Sequence, residues 1–346
     1  MKPAFADMLG NDALRERLRE DICAGRLPHA YILEGDDGCG KHMLALRLAA
    51  ALACENKGRD GLPLPCMSCA SCRKILSGNS PDVIPVSKGE KATMGVEAVR
   101  QMQAGMCISP NELECKCYLI EDAQLMTVQA QNAFLLTLEE PPPYVRFFLL
   151  CQSAAPLLET VRSRAPTLRL QPVPSGEIRA LLLRARPEAA ALDRQSPGEL
   201  DELIAAAGGS IGRALELLDP RRRKPVLERR EASRSFARLA ASRRNSAAVL
   251  RFLGELGQRR EDIAAQLSDI RLCLRDLLAC RCAEAAPLCF FADREEAAEL
   301  AGRFSAADLL RLCDGLQAAA DRLARNANIR LTLTGLATDT GLLAAP

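Results

Sequence analysis

The chain has 346 residues, 48% hydrophobic and only 3% aromatic, and its 46 Lys and Arg against 44 Asp and Glu leave a formal net charge of +2. Such a length exceeds the roughly 250 residues one hydrophobic core usually serves, so two or three domains are expected, and a composition rich in Ala, Leu and Arg leans helical. Near-neutral charge gives no global drive toward nucleic acid or an anionic membrane, no run approaches ~18 apolar residues, and no signal-peptide segment opens the chain; a cytoplasmic protein without a membrane partner is expected.

The first strong pattern is PHAYILEG (28–35), an apolar strand-like run, followed by GDDGCGKH (35–42) and the helical MLALRLAAALA (43–53). Strand, glycine turn and helix is the order of a phosphate-cradling loop, G-x-x-x-x-G-K. Gly35, Gly38 and Gly40 let backbone N–H groups curl around phosphate oxygens, and Lys41 would pair with the outer phosphates. His42 stands where the chemistry calls for a Ser or Thr hydroxyl on Mg²⁺. Imidazole is a poor ligand for that hard ion, so metal-assisted hydrolysis is expected to fail, while binding of ATP or ADP is left open. A glycine turn that binds nothing is the competing explanation.

Fifteen cysteines in a reducing compartment are expected to be thiols or metal ligands. Cys54, Cys66, Cys69 and Cys72 combine C-x2-C-x2-C with one upstream thiol across a Gly/Pro-rich loop, the ligand set of a structural Zn²⁺ knuckle. An iron–sulfur cluster or a redox pair are the alternatives. The other eleven are expected to be buried small hydrophobes.

GNSPDVIPV (78–86) reads as a turn and a short strand, VEAVRQMQAGM (96–106) as a helix, and CKCYLIEDA (115–123) as a strand ending in acid. Groups at the carboxyl ends of strands in an open α/β sheet face the phosphate loop, which places Glu121 and Asp122 there. A hydrolase wants Asp then Glu at such a site, one for the metal and one for water; Glu then Asp misplaces both by about a methylene. Capping of the next helix is an equal alternative. AQNAFLLTLEEPPP (130–143) is a helix stopped by prolines, and VRFFLLCQ (145–152) a buried strand. In LLETVRSRA (157–165), Arg162 and Arg164 emerge at the surface. Arg164 is the candidate for an arginine offered to a neighbouring subunit's γ-phosphate, with plain solvation as the bland alternative.

From about residue 171 the pattern is helical. GGSIGRALELLDP (208–220) reads as a helix with a proline exit, and Arg213 in its first turn either reaches a nucleotide or satisfies a local acid. Residues 221–244 hold ten Lys/Arg against two Asp/Glu, which suits DNA phosphates or, more simply, a solvated helical face. The remainder reads as a separate helical bundle.

In this order, GRLPHAYILEG, the altered loop, the cysteine quartet, GNSPDV, YLIEDA, QAQNAFLLTLEEPP, ETVRSRA and NANIRLTL resemble the delta-prime subunits of the bacterial DNA polymerase III clamp loader, within the AAA+ clamp-loader family. The resemblance spans essentially the whole chain. It implies an AAA+ P-loop type parallel sheet with an inserted zinc knuckle (1–170), a small helical lid (171–220) and a helical collar for oligomerisation (221–346). It further implies a rigid, non-hydrolysing member that lends an arginine from an S-R-C motif to the ATP site of a gamma/tau neighbour; here that arginine is Arg164, and Ala165 replaces the Cys. Implied partners are gamma/tau and delta subunits, the sliding clamp and, through the complex, primer-template DNA. The gamma/tau motor subunit shares the knuckle and sheet but should keep G-K-[ST] and Asp-Glu. At the sensor position Cys151-Gln152 departs from the Thr/Asn of active ATPases. An active ATPase with an unorthodox loop and a stand-alone zinc-binding nucleic-acid protein are the other candidates; the latter leaves the loop, LEEPP and SRA unexplained.

Overall fold

Continuous apolar runs with turn residues at both ends form a parallel sheet, because strands covered on both faces need no polar alternation. In a computed structural model of the chain, the described residues are 5–342 apart from 6, 58, 60, 61, 243–245, 258, 284 and 285. In chain order they form α1 (Asp12–Cys23), β1 (Ala30–Glu34), α2 (Lys41–Leu52), α3 (Ala70–Leu76), β2 (Val83–Val86), α4 (Val96–Met106), β3 (Lys116–Ile120), a 3₁₀ turn (Ala123–Leu125), α5 (Val128–Glu139), β4 (Val145–Cys151), α6 (Glu159–Arg162) and β5 (Thr167–Arg169). The strand order is β2-β3-β4-β1-β5, and every pairing is parallel. β4, flanked by β1 and β3, holds the two functional strand ends in register: Glu34 pairs with Cys151 and Ile120 with Leu149.

One face of the sheet packs Tyr118, Phe134 and Phe147 together. The Tyr118 and Phe147 rings stack at 5.8 Å between centroids, and Phe134 meets Phe147 edge-on at 5.1 Å. These contacts seat α5 on the sheet, which fixes where its carboxyl end stands. On the other face Leu33, Leu44, Leu48 and Phe148 join the four knuckle cysteines in a second buried cluster.

The chain divides into two compact units, Met1–Glu177 with Ser210–Gly212, and Ile178–Gly209 with Arg213–Pro346. The described helices that follow β5 are α7 (Ser175–Ala185), α8 (Pro187–Gln195), α9 (Pro197–Ala207), α10 (Ile211–Glu216), α11 (Pro220–Ala241), α12 (Ser246–Gly254), α13 (Arg260–Cys282), α14 (Arg294–Ala301), α15 (Ala306–Ala324) and α16 (Ile329–Asp339). Pro220, expected to end a helix over 208–220, instead opens α11: its missing N–H costs nothing at a first helical position, and the Asp219 carboxylate caps the turn by accepting from the Arg221 amide at 2.9 Å. The core of this bundle gathers Phe236, Ile263, Ile270, Leu274, Leu309 and Leu316, all fully buried.

Candidate functional site

The phosphate loop leaves β1 at Gly35, where a Cβ would lie 2.7 Å from Cys39 Sγ and 3.3 Å from the Leu170 carbonyl, so a larger residue would have to displace the Cys39 side chain. Gly40, at φ 100°, turns the chain into α2 through the left-handed region that favours glycine. Lys41 Nζ folds back, donating to the carbonyls of Gly35 at 2.6 Å and Asp36 at 2.9 Å, and lies 3.7 Å from Asp37 Oδ1. Across the cleft, Gln152 Nε2 donates to Asp37 Oδ2 at 2.7 Å, tying the end of β4 to the loop. His42 Nδ1 stands 3.6 Å from Glu121 Oε1. Thus Glu121 and Asp122 do line the same open cleft, of about 350 Å³, as Gly38, Gly40, Lys41 and His42. Asp122 occupies the cap position of the 3₁₀ turn but its side chain makes no capping bond. The cleft therefore assembles the parts of a phosphate site with an imidazole in place of the hydroxyl. Burial pushes the Cys151 thiol up to about 11 and raises Cys39 above its ordinary value, so two neighbouring thiols stay neutral and offer no charge to a metal.

Arg164 follows α6. Its Nη2 donates to Glu139 Oε1 at 2.6 Å and its Nη1 to the Thr160 carbonyl at 3.0 Å. The Glu139 and Arg164 side chains are 46% and 36% exposed, which limits such a pair to ~0.2–1 kcal/mol. Helix α5 also sets the path of this segment: the buried Gln131 side chain accepts from the Leu158 amide at 2.7 Å and donates to the Met126 carbonyl at 3.1 Å. Val161 and Ala165 are buried on either side, so Arg164 projects from an anchored turn, and Arg162 is exposed beside it.

The four knuckle cysteines are all buried, and their Sγ atoms lie within 4.8 Å of one another. The Cys69 amide donates to Cys66 Sγ and the Cys72 amide to Cys69 Sγ, both at 3.4 Å, the sulfur support that C-x2-C spacing predicts. Cys66 and Cys72 sulfurs are 4.0 Å apart. A tetrahedral ion with ~2.3 Å bonds to sulfur needs edges of ~3.8 Å, so the residues fit one such ion. Burial raises the Cys66 thiol, but donors from Asn56, Ser68 and Cys69 outweigh it and hold the thiol below its ordinary value, as a ligand requires.

Two expectations change. Of the other cysteines, Cys115, Cys117, Cys151 and Cys273 are buried as expected, but Cys23, Cys107, Cys282 and Cys289 are exposed, because they sit at helix ends and loops rather than on core faces. The basic run on α11 is neither bare nor simply solvated. Arg223 pairs with Glu199 at 2.7 Å, Arg229 with Asp269 at 2.5 Å, Arg222 with Glu216 at 3.3 Å and Arg238 with Glu231 at 2.9 Å. Arg234 meets Glu202, Glu231 at 3.5 Å and Glu296 at 3.3 Å, and the Arg230 guanidinium lies 4.1 Å over the Phe290 ring. Burial holds the Arg230 pKa below the ordinary guanidinium value against the pull of Glu202.

Arg213 is exposed and belongs to the second unit. Sequence reasoning missed Asp37, Glu139 and the acids that neutralise α11. It also passed over Asp82 of GNSPDV, a fully buried carboxylate that accepts from the amides of Asn111 and Glu112 at 2.8 Å and Leu113 at 3.0 Å and so pins the entry to β3. An Asp inside an apolar run was the available signal.

A five-stranded parallel sheet in this order, with a glycine loop after β1 and acids after β3, defines a P-loop nucleotide-type domain of the AAA+ class. The family described as "DNA polymerase III, delta subunit" matches residues 10–174. Relatives include the DNA polymerase III tau subunits of Bacillus subtilis, 30% identical over 62% of this chain and 37% of its own length, and of Escherichia coli, 32% identical over 62% and 32%. The gamma subunit of Buchnera aphidicola is 31% identical over 62% of this chain and 58% of its own. This chain therefore spans about a third to just over half of those relatives. A solved gamma-subunit-related protein of Thermotoga maritima aligns over 94% of this chain and 98% of its own at 17% identity, with a TM-score of 0.43. Over its first half, then, the chain is similar to clamp-loader subunits of DNA polymerase III. No helix among the described residues is long and apolar enough to cross a membrane.

Proposed function

We propose that this chain is a delta-prime-type stator of a clamp loader: it does not hydrolyse ATP itself, and it offers Arg164 to the ATP site of a gamma/tau neighbour while the assembly places a sliding clamp on primed DNA. The observation that carries this is His42 beside Glu121, 3.6 Å apart, at the point where an ATPase needs a hydroxyl for Mg²⁺. Loss of the metal contact removes the charge that stabilises phosphoryl transfer, whereas an arginine lent in trans needs no metal of its own. In this reading Cys54, Cys66, Cys69 and Cys72 hold a structural Zn²⁺ that fixes the knuckle, with no open position for chemistry. Residues 171–220 act as the lid and 221–346 as the collar that joins gamma/tau and delta subunits, and the protein works in the bacterial cytoplasm as part of the replisome. The cleft residues form a degenerate nucleotide site that the function does not require.

The relatives named tau and gamma favour a second reading, an active ATPase subunit of the same loader. Metal-dependent turnover separates the two. The isolated chain with ATP and Mg²⁺ is expected to show none; in the reconstituted loader with clamp and primed DNA, Arg164→Ala is expected to cut hydrolysis by orders of magnitude without disturbing assembly. Turnover by the isolated chain above an Arg164→Ala and Lys41→Ala background would establish the second reading instead.

A further inference from the structure

Arg164 has two anchors of different kinds. Nη1 donates to the Thr160 carbonyl of its own turn, and Nη2 to the carboxylate of Glu139, 25 residues earlier. Glu139 is the last residue of α5, and Pro141–Pro143 follow Glu140, so the helix stops there and cannot slide. Its carboxylate is thus placed by a rigid element packed on the sheet rather than by a loop. The exposed side of α5 carries Val128, Asn132 and Leu136 at successive i+4 positions, with Val128 59% and Leu136 74% exposed. Glu139 lies one turn further along that stripe, and the Arg164 guanidinium is drawn to its end.

We infer that Glu139 is a positioning residue for Arg164, holding the guanidinium in one rotamer at the end of the α5 stripe until a neighbouring subunit's nucleotide phosphate takes its place; this rests on the reading of Arg164 as an arginine lent in trans. A free arginine side chain has many rotamers to lose, and a misplacement of ~1 Å at a reacting centre is costly. Glu139 removes that freedom before the partner arrives. An exposed carboxylate–guanidinium pair is also weak, so it positions without trapping. The terminal phosphate of a nucleoside triphosphate carries more charge than a carboxylate and accepts from both guanidinium nitrogens, which lets it win the exchange. Glu140 carries the same charge one residue on, but the ion pair of Arg164 is with Glu139.

The test is steady-state ATP hydrolysis by the reconstituted loader containing the full chain, its ATPase partners, clamp and primed DNA. Glu139→Ala is expected to lower kcat about tenfold with little change in KM for ATP, because the nucleotide sits on the partner. Glu139→Gln keeps an oxygen acceptor and should recover most of the rate. Glu140→Ala should leave it unchanged, and Glu139→Ala added to Arg164→Ala should lower it no further. The inference is overturned by an unchanged rate in Glu139→Ala, by an equal loss in Glu140→Ala, or by a further loss in the Arg164→Ala background. If Arg164→Ala is itself inert, the trans-arginine reading falls and takes this inference with it; if Arg164→Ala is severe while Glu139→Ala is silent, only the positioning role falls.

Discussion

Arg164, in the first unit, keeps 36% of its side chain in solvent and meets one carboxylate, whereas Arg234, in the second, keeps 8% and faces Glu202, Glu231 and Glu296. Both belong to charged surface-like stretches of sequence, and both end in ion pairs. The surroundings separate them. Around Arg164 water screens the pair, so the guanidinium can change partners at small cost. Around Arg234, and around Arg230 with its guanidinium over Phe290, little water remains, so removing one member leaves Glu202 sharing fewer charges in a nearly dry setting, with Arg230 as its remaining partner. An arginine of the first kind is fit to be lent to a phosphate; one of the second kind braces helices α9, α11 and α14 against each other.

That contrast can be broken most directly at Arg164. Arg164→Ala is expected to reduce hydrolysis by the partner ATPase on the order of 10³-fold, while the urea midpoint of the isolated chain hardly moves. Arg234→Ala should do the reverse: urea unfolding should show a loss of ~1–3 kcal/mol, with trans-activation intact wherever the protein remains folded. If Arg164→Ala proves the more destabilising of the two, the division between lent and bracing arginines is wrong.

A smaller effect is expected at the knuckle, where elemental analysis should find one zinc per chain. Cys72→Ser or a strong chelator should remove it and lower the melting temperature by several degrees, leaving the sheet's far-ultraviolet signal largely in place. Iron in place of zinc, or full stability without metal, would refute the structural-zinc assignment. The smallest effect belongs to the cleft: Lys41→Ala should leave the reconstituted loader's rate unchanged, since Lys41 already spends its donors on Gly35 and Asp36. A marked loss there would show that the cleft holds a nucleotide the loader needs.

Four of the five strands were legible because their signal is local, while the three-residue β5 gave none. AYILE and VRFFLLC are apolar on both faces, glycines mark the loop between β1 and α2, and prolines end α5. The cysteine quartet was legible for the same reason, since C-x2-C spacing alone brings amides to sulfur. The acidic pair was assigned to the correct strand end because parallel strands present their carboxyl ends together. Asp37 with Gln152, separated by 115 residues, and Arg164 with Glu139, separated by 25, were not legible. Nor was the neutralisation of α11, whose acids Glu199, Glu202, Asp269 and Glu296 lie on other helices. Counting charges along a helix reports nothing about acids that arrive from elsewhere in the fold.

By itself the sequence determined β1 to β4 and helices α2, α4 and α5 of the first unit, the clustering of the knuckle cysteines and the replacement of a hydroxyl by His42 in the phosphate loop, because each depends on residue type at short spacing. The tertiary structure decided which arginine is buried and which is presented, and which carboxylate holds it. Those outcomes depend on distances between residues far apart in the chain, and a few ångströms of water between charges set whether a pair is a brace or a loan.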